Sequence, residues 1–177
     1  DHGQGLPGDR DGVGDAGAAA LPDDDVGAVD GEVHPGPHGA AALRAILPHE
    51  IYDPALAAEI LTLPSANEIA EMFAIIDPIA IATVREALTR TLANELADEF
   101  LAVYNANKLD SYRVEHADIG KRALRNTCLR YLAFAEPTLG DKLVAAQYHQ
   151  ADNMTDALAA LSAAVAAELP SRDALMQ

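Results

Sequence analysis

The amino-acid sequence predicts an all-α fold of stacked antiparallel helix hairpins, a superhelical or HEAT-like bundle, behind a disordered N-terminal leader. The first observation is composition: hydrophobic residues make up 50% of the chain and aromatic residues only 5%, and alanine and leucine favour helix. The second is apolar periodicity of about 3.6 residues, with no run of strand-type alternation. The third is the short polar connections between the predicted helices, which favour stacked hairpins.

Residues 1–42 have a different character from the rest of the chain. They contain ten of the twelve glycines and carry nine acidic side chains against one basic side chain, Arg10. No apolar periodicity is visible, so this segment buries too little surface to offset the entropy lost on ordering. We therefore interpret residues 1–42 as a disordered acidic leader.

The leader also uses a restricted alphabet. Every residue type in the leader can be encoded by a codon that begins with G or C. Ser, Thr, Asn, Lys and Ile are among the residue types that are absent from it. A GC-rich gene read out of frame gives this pattern, so one hypothesis is a frameshifted or otherwise non-native leader. The alternative is a genuine acidic linker rich in Gly, Pro and Ala, and the coding DNA distinguishes the two.

Helix starts are clear from residue 43 onward. Asp53-Pro54 and Asp77-Pro78 each combine an N-cap with proline at the first helical position. Ser65 and Glu68 have the spacing of a capping box. These signals predict helices that begin near residues 54, 66 and 78, the first two ending near residues 61 and 74.

The predicted helix Pro78–Asn105 has the clearest pattern. A single apolar stripe runs along it at three- and four-residue steps, formed by Ile81, Val84, Leu88, Leu92, Leu96, Phe100 and Val103. On another face, Glu86 and Arg90 form a favourable i,i+4 pair.

Four further helices follow a polar connection over residues 105–112. The first is Ala117–Phe134, with a stripe that starts at Ile119, and Pro137 separates it from Leu139–Gln150. Asn153 is the predicted cap of the next helix, which carries Leu158, Leu161 and Val165. Ser171 is the predicted cap of a last helix that the sequence ends within two turns, so we expect a helical region cut from a larger array.

Charge and cysteine content limit the possible functions. A net charge of −16 argues against a nucleic-acid surface and against docking on anionic lipid. No segment reaches the roughly 18 uninterrupted apolar residues of a membrane span, and no signal-peptide pattern is visible. Cys128, the single cysteine, cannot form an internal disulfide and is interpreted as a buried apolar residue. These features lead us to expect a cytoplasmic location.

The nearest approach to a zinc-peptidase motif is the segment from His49 to Asp53. The H-E-x-x-H motif needs two histidines one helical turn apart, with a glutamate to activate water. Here the fifth residue is Asp53 and not histidine. Because Pro54 follows it, Asp53 is better explained as a helix N-cap. We therefore predict a loop without a metal.

The acidic cluster Glu95, Asp98 and Glu99 has two interpretations. It could bind a cation or perform acid–base chemistry, but the commoner roles are a solvated helix face or pairing with a basic helix, and we favour structural pairing. That helix carries Lys121, Arg122, Arg125 and Arg130. The remaining histidines of the helical region, His116 and His149, are isolated in sequence. We predict no catalytic, cofactor-binding or metal-binding residue in this chain.

Residues 43–177 resemble the C-terminal helical domain of the bacterial aminopeptidase N family. The resemblance is carried by DPALAAEILTLPSANEIAEMFAIIDPIAIATVREALTRTLANELADEFLAVYNAN, YRVEHADIGKRALRNTCLRYLAF, DNMTDALAALSAAVA and LPSRDALMQ. It implies a parent zinc metalloenzyme that removes N-terminal residues from peptides, with its H-E-x-x-H and G-A-M-E-N motifs in an upstream catalytic domain. Neither motif occurs here, so no catalytic residue transfers to this chain, and the chain alone is expected to be inactive.

The resemblance also implies a role and partners. The corresponding domain packs against the catalytic domain and helps enclose the active-site chamber. The expected partners are therefore the rest of the aminopeptidase chain and, in the parent, peptides; zinc belongs to the parent and not to this chain. The alternative is a free-standing acidic helical module that binds basic proteins.

Overall fold

The computed structural model describes residues 37–47 and 53–177, all within one compact unit that spans Gly31–Gln177. Over these residues the chain is helical and contains no strand, which confirms the all-α prediction. The helices are α1 Pro37–Ile46, α2 Pro54–Ile60, α3 Ala66–Ala70, α4 Pro78–Glu95, α5 Ala97–Ala106, α6 His116–Ala135, α7 Pro137–Gln150, α8 Met154–Ala166 and α9 Arg172–Leu175.

The predicted helix caps are confirmed at four starts. The side chains of Asp53, Ser65, Asp77 and Asn153 each accept a hydrogen bond from a backbone N–H of the helix that follows. The capping box is complete, because the Ser65 N–H in turn donates to Glu68 Oε2 at 2.7 Å. Each cap satisfies a donor that the helix leaves unpaired.

Helix α1 extends the helical region into the segment predicted to be leader. It begins at Pro37, and the Ala40 side chain is buried. Proline is compatible with the first position of a helix, so Pro37 is no barrier to one, and alanines follow it. The rest of the predicted leader, residues 1–36, lies outside the described residues.

Helix α6 is the centre of the fold. It packs against α2, α4, α5, α7 and α8, and its buried residues lie on more than one face. The Tyr131 ring stacks on the Phe100 ring with centroids 4.5 Å apart, and its hydroxyl donates to the Leu61 carbonyl at 2.7 Å. The predicted single stripe on this helix is wrong at its start, because Ile119 is 48% exposed. A helix enclosed by several neighbours has no single buried stripe.

The predicted helix Pro78–Asn105 is broken at Leu96 into α4 and α5. Leu96 has φ −121° and ψ 20°, and its side chain is fully buried. At the break, the Glu95 carbonyl accepts a hydrogen bond from Arg44 Nη2 on α1 at 2.8 Å. Periodicity could not reveal the break, because Leu92, Leu96 and Phe100 keep their four-residue spacing through it.

A glycine sets the distance between α6 and α7. A Cβ atom at Gly140 would lie 2.7 Å from the Leu132 carbonyl oxygen and 2.8 Å from the Ala133 Cα. Only a residue without a side chain therefore lets the two helices approach this closely. Pro137, predicted as an interruption, is the first residue of α7, and Glu136 caps it through Thr138 and Leu139.

The turn after α8 has the bond pattern of a Schellman motif. Glu168 takes φ 53°, the Leu169 N–H donates to the Ala164 carbonyl at 2.9 Å, and the Glu168 N–H donates to Val165. The sequence predicted that Ser171 caps α9, but its side chain makes no cap hydrogen bond. It has helical φ and ψ, and its N–H donates to Asp141 Oδ1 at 2.9 Å.

Candidate functional site

The described residues do not assemble a zinc site. No group of three or more His, Cys, Asp or Glu side chains within ranges 37–47 and 53–177 is placed to hold a metal. Of the motif-like segment, residues 49–52 lie outside those ranges, and Asp53 accepts from the Ala55 N–H as an N-cap at 2.9 Å. His116 and His149 are both exposed, on different helices. The side chains described here therefore do not fit the zinc ligand set that the resemblance assigns to the parent enzyme.

The predicted pairing of the acidic cluster with α6 is wrong. Glu99 Oε1 accepts from Arg44 Nε of α1 at 2.7 Å, whereas Glu95 and Asp98 are exposed. The reason is that α5 packs on α6 through its other face, where Phe100 and Tyr104 are buried. The hydrogen bond from Arg44 holds the pKa of the Glu99 carboxyl below its usual value.

The basic side chains of α6 engage aromatic rings and backbone instead. Arg125 lies over the Tyr104 ring at 4.4 Å and donates to its hydroxyl at 2.8 Å. Arg122 lies over the Tyr112 ring at 4.8 Å and donates to the Arg113 carbonyl at 2.7 Å. These contacts attach α5, through Tyr104, and the connection after it, through Tyr112 and Arg113, to the central helix.

A polar network joins α6, α7 and α8. Asp156 accepts from Asn126 Nδ2 and Asn153 Nδ2, each at 2.9 Å, and Gln147 Nε2 donates to Asn126 Oδ1 at 2.7 Å. The network borders an open cleft of about 290 Å³ that Lys108 and Asp110 also line. Since Asp156 and Gln147 are both engaged in these bonds, the network serves to hold three helices in register.

Burial makes the single cysteine a poor nucleophile. The Cys128 side chain is fully buried, and this burial raises the pKa of its thiol to about 12. A thiolate is therefore scarce near neutral pH. The prediction that Cys128 is a buried apolar residue is confirmed.

The most distinctive surface is apolar and lies at the corner between α3 and α4. We call it the corner patch and define it by five side chains that are 57–87% exposed: Met72, Phe73, Ile75, Ile76 and Ile79. Large apolar side chains exposed together mark an interaction surface. The sequence contains the apolar run Met72-Phe73-Ala74-Ile75-Ile76, but it predicted helix through residue 74, whereas α3 ends at Ala70, and it could not show that the run is exposed.

A second apolar surface runs along α8. Met154, Leu158 and Val165 are 78%, 56% and 46% exposed, and their spacing places them on one side of the helix. We call these three residues the α8 stripe. The sequence showed the spacing, but it could not show that this side of α8 faces away from α6 and α7.

Across residues 37–47 and 53–177, no helix has both the length and the apolar character required to cross a bilayer.

Comparison with known proteins identifies relatives of this fold. The chain is 74% identical to the aminopeptidase N of Escherichia coli strain K12 and 45% identical to that of Haemophilus influenzae strain Rd, each over 140 residues. Both alignments cover 79% of this chain and 16% of the relative, so the chain spans about a sixth of the length of these relatives.

A solved structure supports the helical architecture. The fold matches the crystal structure of Legionella pneumophila aminopeptidase A in complex with aspartic acid, with a TM-score of 0.63 and 24% sequence identity. That match covers 78% of this chain and 18% of the other.

A family model described as "Domain of unknown function (DUF3458_C) ARM repeats" matches residues 19–177. The match begins 24 residues before Leu43, where the resemblance to aminopeptidase N begins, so it includes part of the segment predicted to be leader. Because this match covers most of the chain, and because the described residues form the stacked helices expected of such repeats, the chain belongs to the DUF3458_C family of ARM-repeat domains.

Proposed function

We propose that this chain is the non-catalytic helical portion of an aminopeptidase N, an enzyme that removes N-terminal amino acids from peptides by zinc-dependent hydrolysis. The observation that carries the proposal is the 74% identity to aminopeptidase N over 140 residues that make up only 16% of that protein. A stretch this short and this similar corresponds to one part of the larger enzyme.

In this proposal the zinc and the reaction belong to the rest of the enzyme. We assign this chain no catalytic, cofactor-binding or metal-binding residue, because its sequence contains neither the H-E-x-x-H motif nor the G-A-M-E-N motif. Its role is to pack beside the catalytic domain and to help enclose the chamber in which peptides bind. A cytoplasmic, reducing location is part of the proposal and is compatible with the free thiol of Cys128.

The α8 stripe supports the proposal of further helices as partners. In a helical repeat array, each unit buries the apolar face of its neighbour. The side chains of the α8 stripe form a ridge that a neighbouring helix can cover, because they are four and seven residues apart. We assign this surface to the following C-terminal helices of the aminopeptidase.

The test is an aminopeptidase assay with three proteins. They are the isolated chain, the E. coli aminopeptidase N lacking its matched 140-residue stretch, and a hybrid in which the homologous residues of this chain replace that stretch. The substrate is an aminoacyl arylamide, and zinc is added. We expect the hybrid to hydrolyse it, whereas the isolated chain and the shortened enzyme should show no hydrolysis above background. Zinc-dependent turnover by the isolated chain would contradict the proposal, and so would a hybrid that neither folds nor turns over.

A further inference from the structure

We propose that the corner patch is the point at which this helical region inserts into an apolar pocket with a basic rim on the remaining part of the aminopeptidase chain. This inference rests on the proposed function and specifies one of its contacts. It assigns an occupant to the largest group of exposed apolar side chains in the described part of the chain.

The patch is apolar, and backbone hydrogen bonds order the chain where it begins. Ile75 is 87% exposed and Met72 is 81% exposed. The Met72 N–H donates to Ile69 at 3.0 Å, and the Phe73 N–H donates to Ala70 at 3.1 Å. Side chains on an ordered backbone lose less conformational entropy when they dock, so the Met72 and Phe73 end of the patch is well suited to tight contact.

The patch also differs in shape from the α8 stripe. Four of its five residues lie between α3 and α4 in a segment that belongs to neither helix, and Ile79 lies in the first turn of α4. The patch is therefore placed where the chain turns, whereas the α8 stripe runs along one continuous helix. A projecting corner fits a pocket, whereas a ridge with helical spacing fits a groove between helices. The two apolar surfaces therefore call for different kinds of partner.

The charge around the patch is acidic overall. Residues 64–85 contain Glu68, Glu71 and Asp77 against one cation, Arg85, whose Nε donates to the Pro64 carbonyl at 2.6 Å. Glu71 immediately precedes the patch, and Asp77 lies within it. Complementary potentials favour a partner whose apolar pocket is edged by Lys or Arg. A second copy of this chain, with a net charge of −16, would bring like charges together at this surface.

Most of the proposed enzyme lies outside this chain, which accounts for 16% of the length of its aminopeptidase N relatives. The rest of the enzyme must contact this region somewhere, and the corner patch is the surface whose exposure to water is most costly.

Site-specific labelling tests the inference. Ile75→Cys is introduced into the isolated chain and into the active hybrid, and maleimide labelling at residue 75 is followed by mass spectrometry. We expect labelling about tenfold slower or more in the hybrid, because desolvation protects a docked side chain. Cys128, fully buried, serves as the internal control that stays unlabelled in both proteins. Val114→Cys, at a position that is 73% exposed outside the patch, should label equally fast in both.

Charge substitution tests the basic rim in the same hybrid. Glu71→Lys should accelerate labelling of Ile75→Cys and lower the melting temperature of the hybrid, whereas Asp110→Lys, at an exposed loop position, should change neither. Equal effects of the two substitutions would contradict the basic rim.

The outcomes separate the two proposals. Equal labelling of residue 75 in the isolated chain and in a folded, active hybrid would overturn the docking inference and leave the proposed function intact. Protection that appears in the isolated chain as its concentration rises would assign the patch to a second copy instead. A hybrid that does not fold would contradict the proposed function itself.

Discussion

Two phenylalanines differ sharply in burial because they lie in two different regions of this molecule. Phe100 is fully buried against α6, whereas Phe73, in the corner patch, is 58% exposed. Both residues lie in apolar stretches of sequence, so hydrophobicity alone does not decide burial here. What decides it is the number of neighbouring helices: α6 is surrounded by five, whereas α3, which leads into the corner, packs mainly against α4.

The largest loss of stability should come from removing the buried Phe100 ring, with removal of the exposed Phe73 ring as its control. We expect Phe100→Ala to lower the free energy of unfolding by about 3–5 kcal/mol, because it removes a stacked, fully buried ring. The matched substitution Phe73→Ala should change it by less than about 0.5 kcal/mol. Urea unfolding followed by circular dichroism measures both. A loss of similar size at Phe73 would mean that the corner is already covered in the isolated chain.

The next effect concerns the close approach of α6 and α7. Gly140→Val should cost about 1–3 kcal/mol, because its side chain meets backbone atoms of Leu132 and Ala133 that cannot move aside. Ala146→Val, at an exposed position on the same helix, places the same β-branched side chain in α7 without the clash, and its propensity loss, unlike the small gain on replacing glycine, is destabilising. Equal losses for the two variants in urea would show that the helices are not held at this distance.

A smaller effect, of opposite sign, is expected at the turn after α8. Glu168 has φ 53°, a left-handed conformation that costs a residue with a Cβ about 1–2 kcal/mol. Glu168→Gly should therefore raise the free energy of unfolding by about 1 kcal/mol, offset in part by the greater freedom of glycine in the unfolded chain. Glu168→Ala keeps the Cβ and should give little of that gain. If alanine stabilised the chain as much as glycine, backbone strain would not be the cause.

The smallest effect belongs to the contact between α1 and the break at Leu96. Arg44→Gln should lower the free energy of unfolding by about 0.5–1 kcal/mol at pH 7, because the ion pair with Glu99 is partly exposed. The pKa of Glu99 is lowered in the folded chain by its hydrogen bond to Arg44. Its contribution is therefore complete above the ordinary glutamate pKa of about 4.3 and is lost as pH falls through the folded value.

The pH dependence provides the control for that prediction. The difference between the Arg44→Gln variant and the unmodified chain should shrink when urea unfolding is repeated at progressively lower pH, below the ordinary glutamate range. A difference that stays constant would assign the effect to the hydrogen bond on the Glu95 carbonyl, which does not titrate.

The sequence was most informative where the signal is local. Caps at Asp53, Ser65, Asp77 and Asn153 depend on residues a few positions apart, and all four are confirmed. The break at Leu96 was missed because it preserves the apolar spacing on both sides.

Pairing between helices was beyond the reach of sequence patterns. Charge counting assigned the acids of α5 to α6, but the buried face of α5 selects the neighbour, and Glu99 lies toward Arg44. The corner patch was missed for the same reason, since its exposure depends on which helices lie nearby. The disorder of residues 1–36 and the frameshift interpretation of the leader stay predictions, which hydrogen exchange and the coding DNA test.

The hydrogen bond from Tyr131 to the Leu61 carbonyl has a consequence for the order of folding. It joins residues 70 positions apart, whereas α6, α7 and α8 are consecutive in the chain. Closing a long loop is entropically more costly than forming neighbouring contacts, so α6, α7 and α8 should assemble first and α2 should dock late. Substitutions on α2, such as Ala58→Gly, should then speed unfolding more than they slow folding.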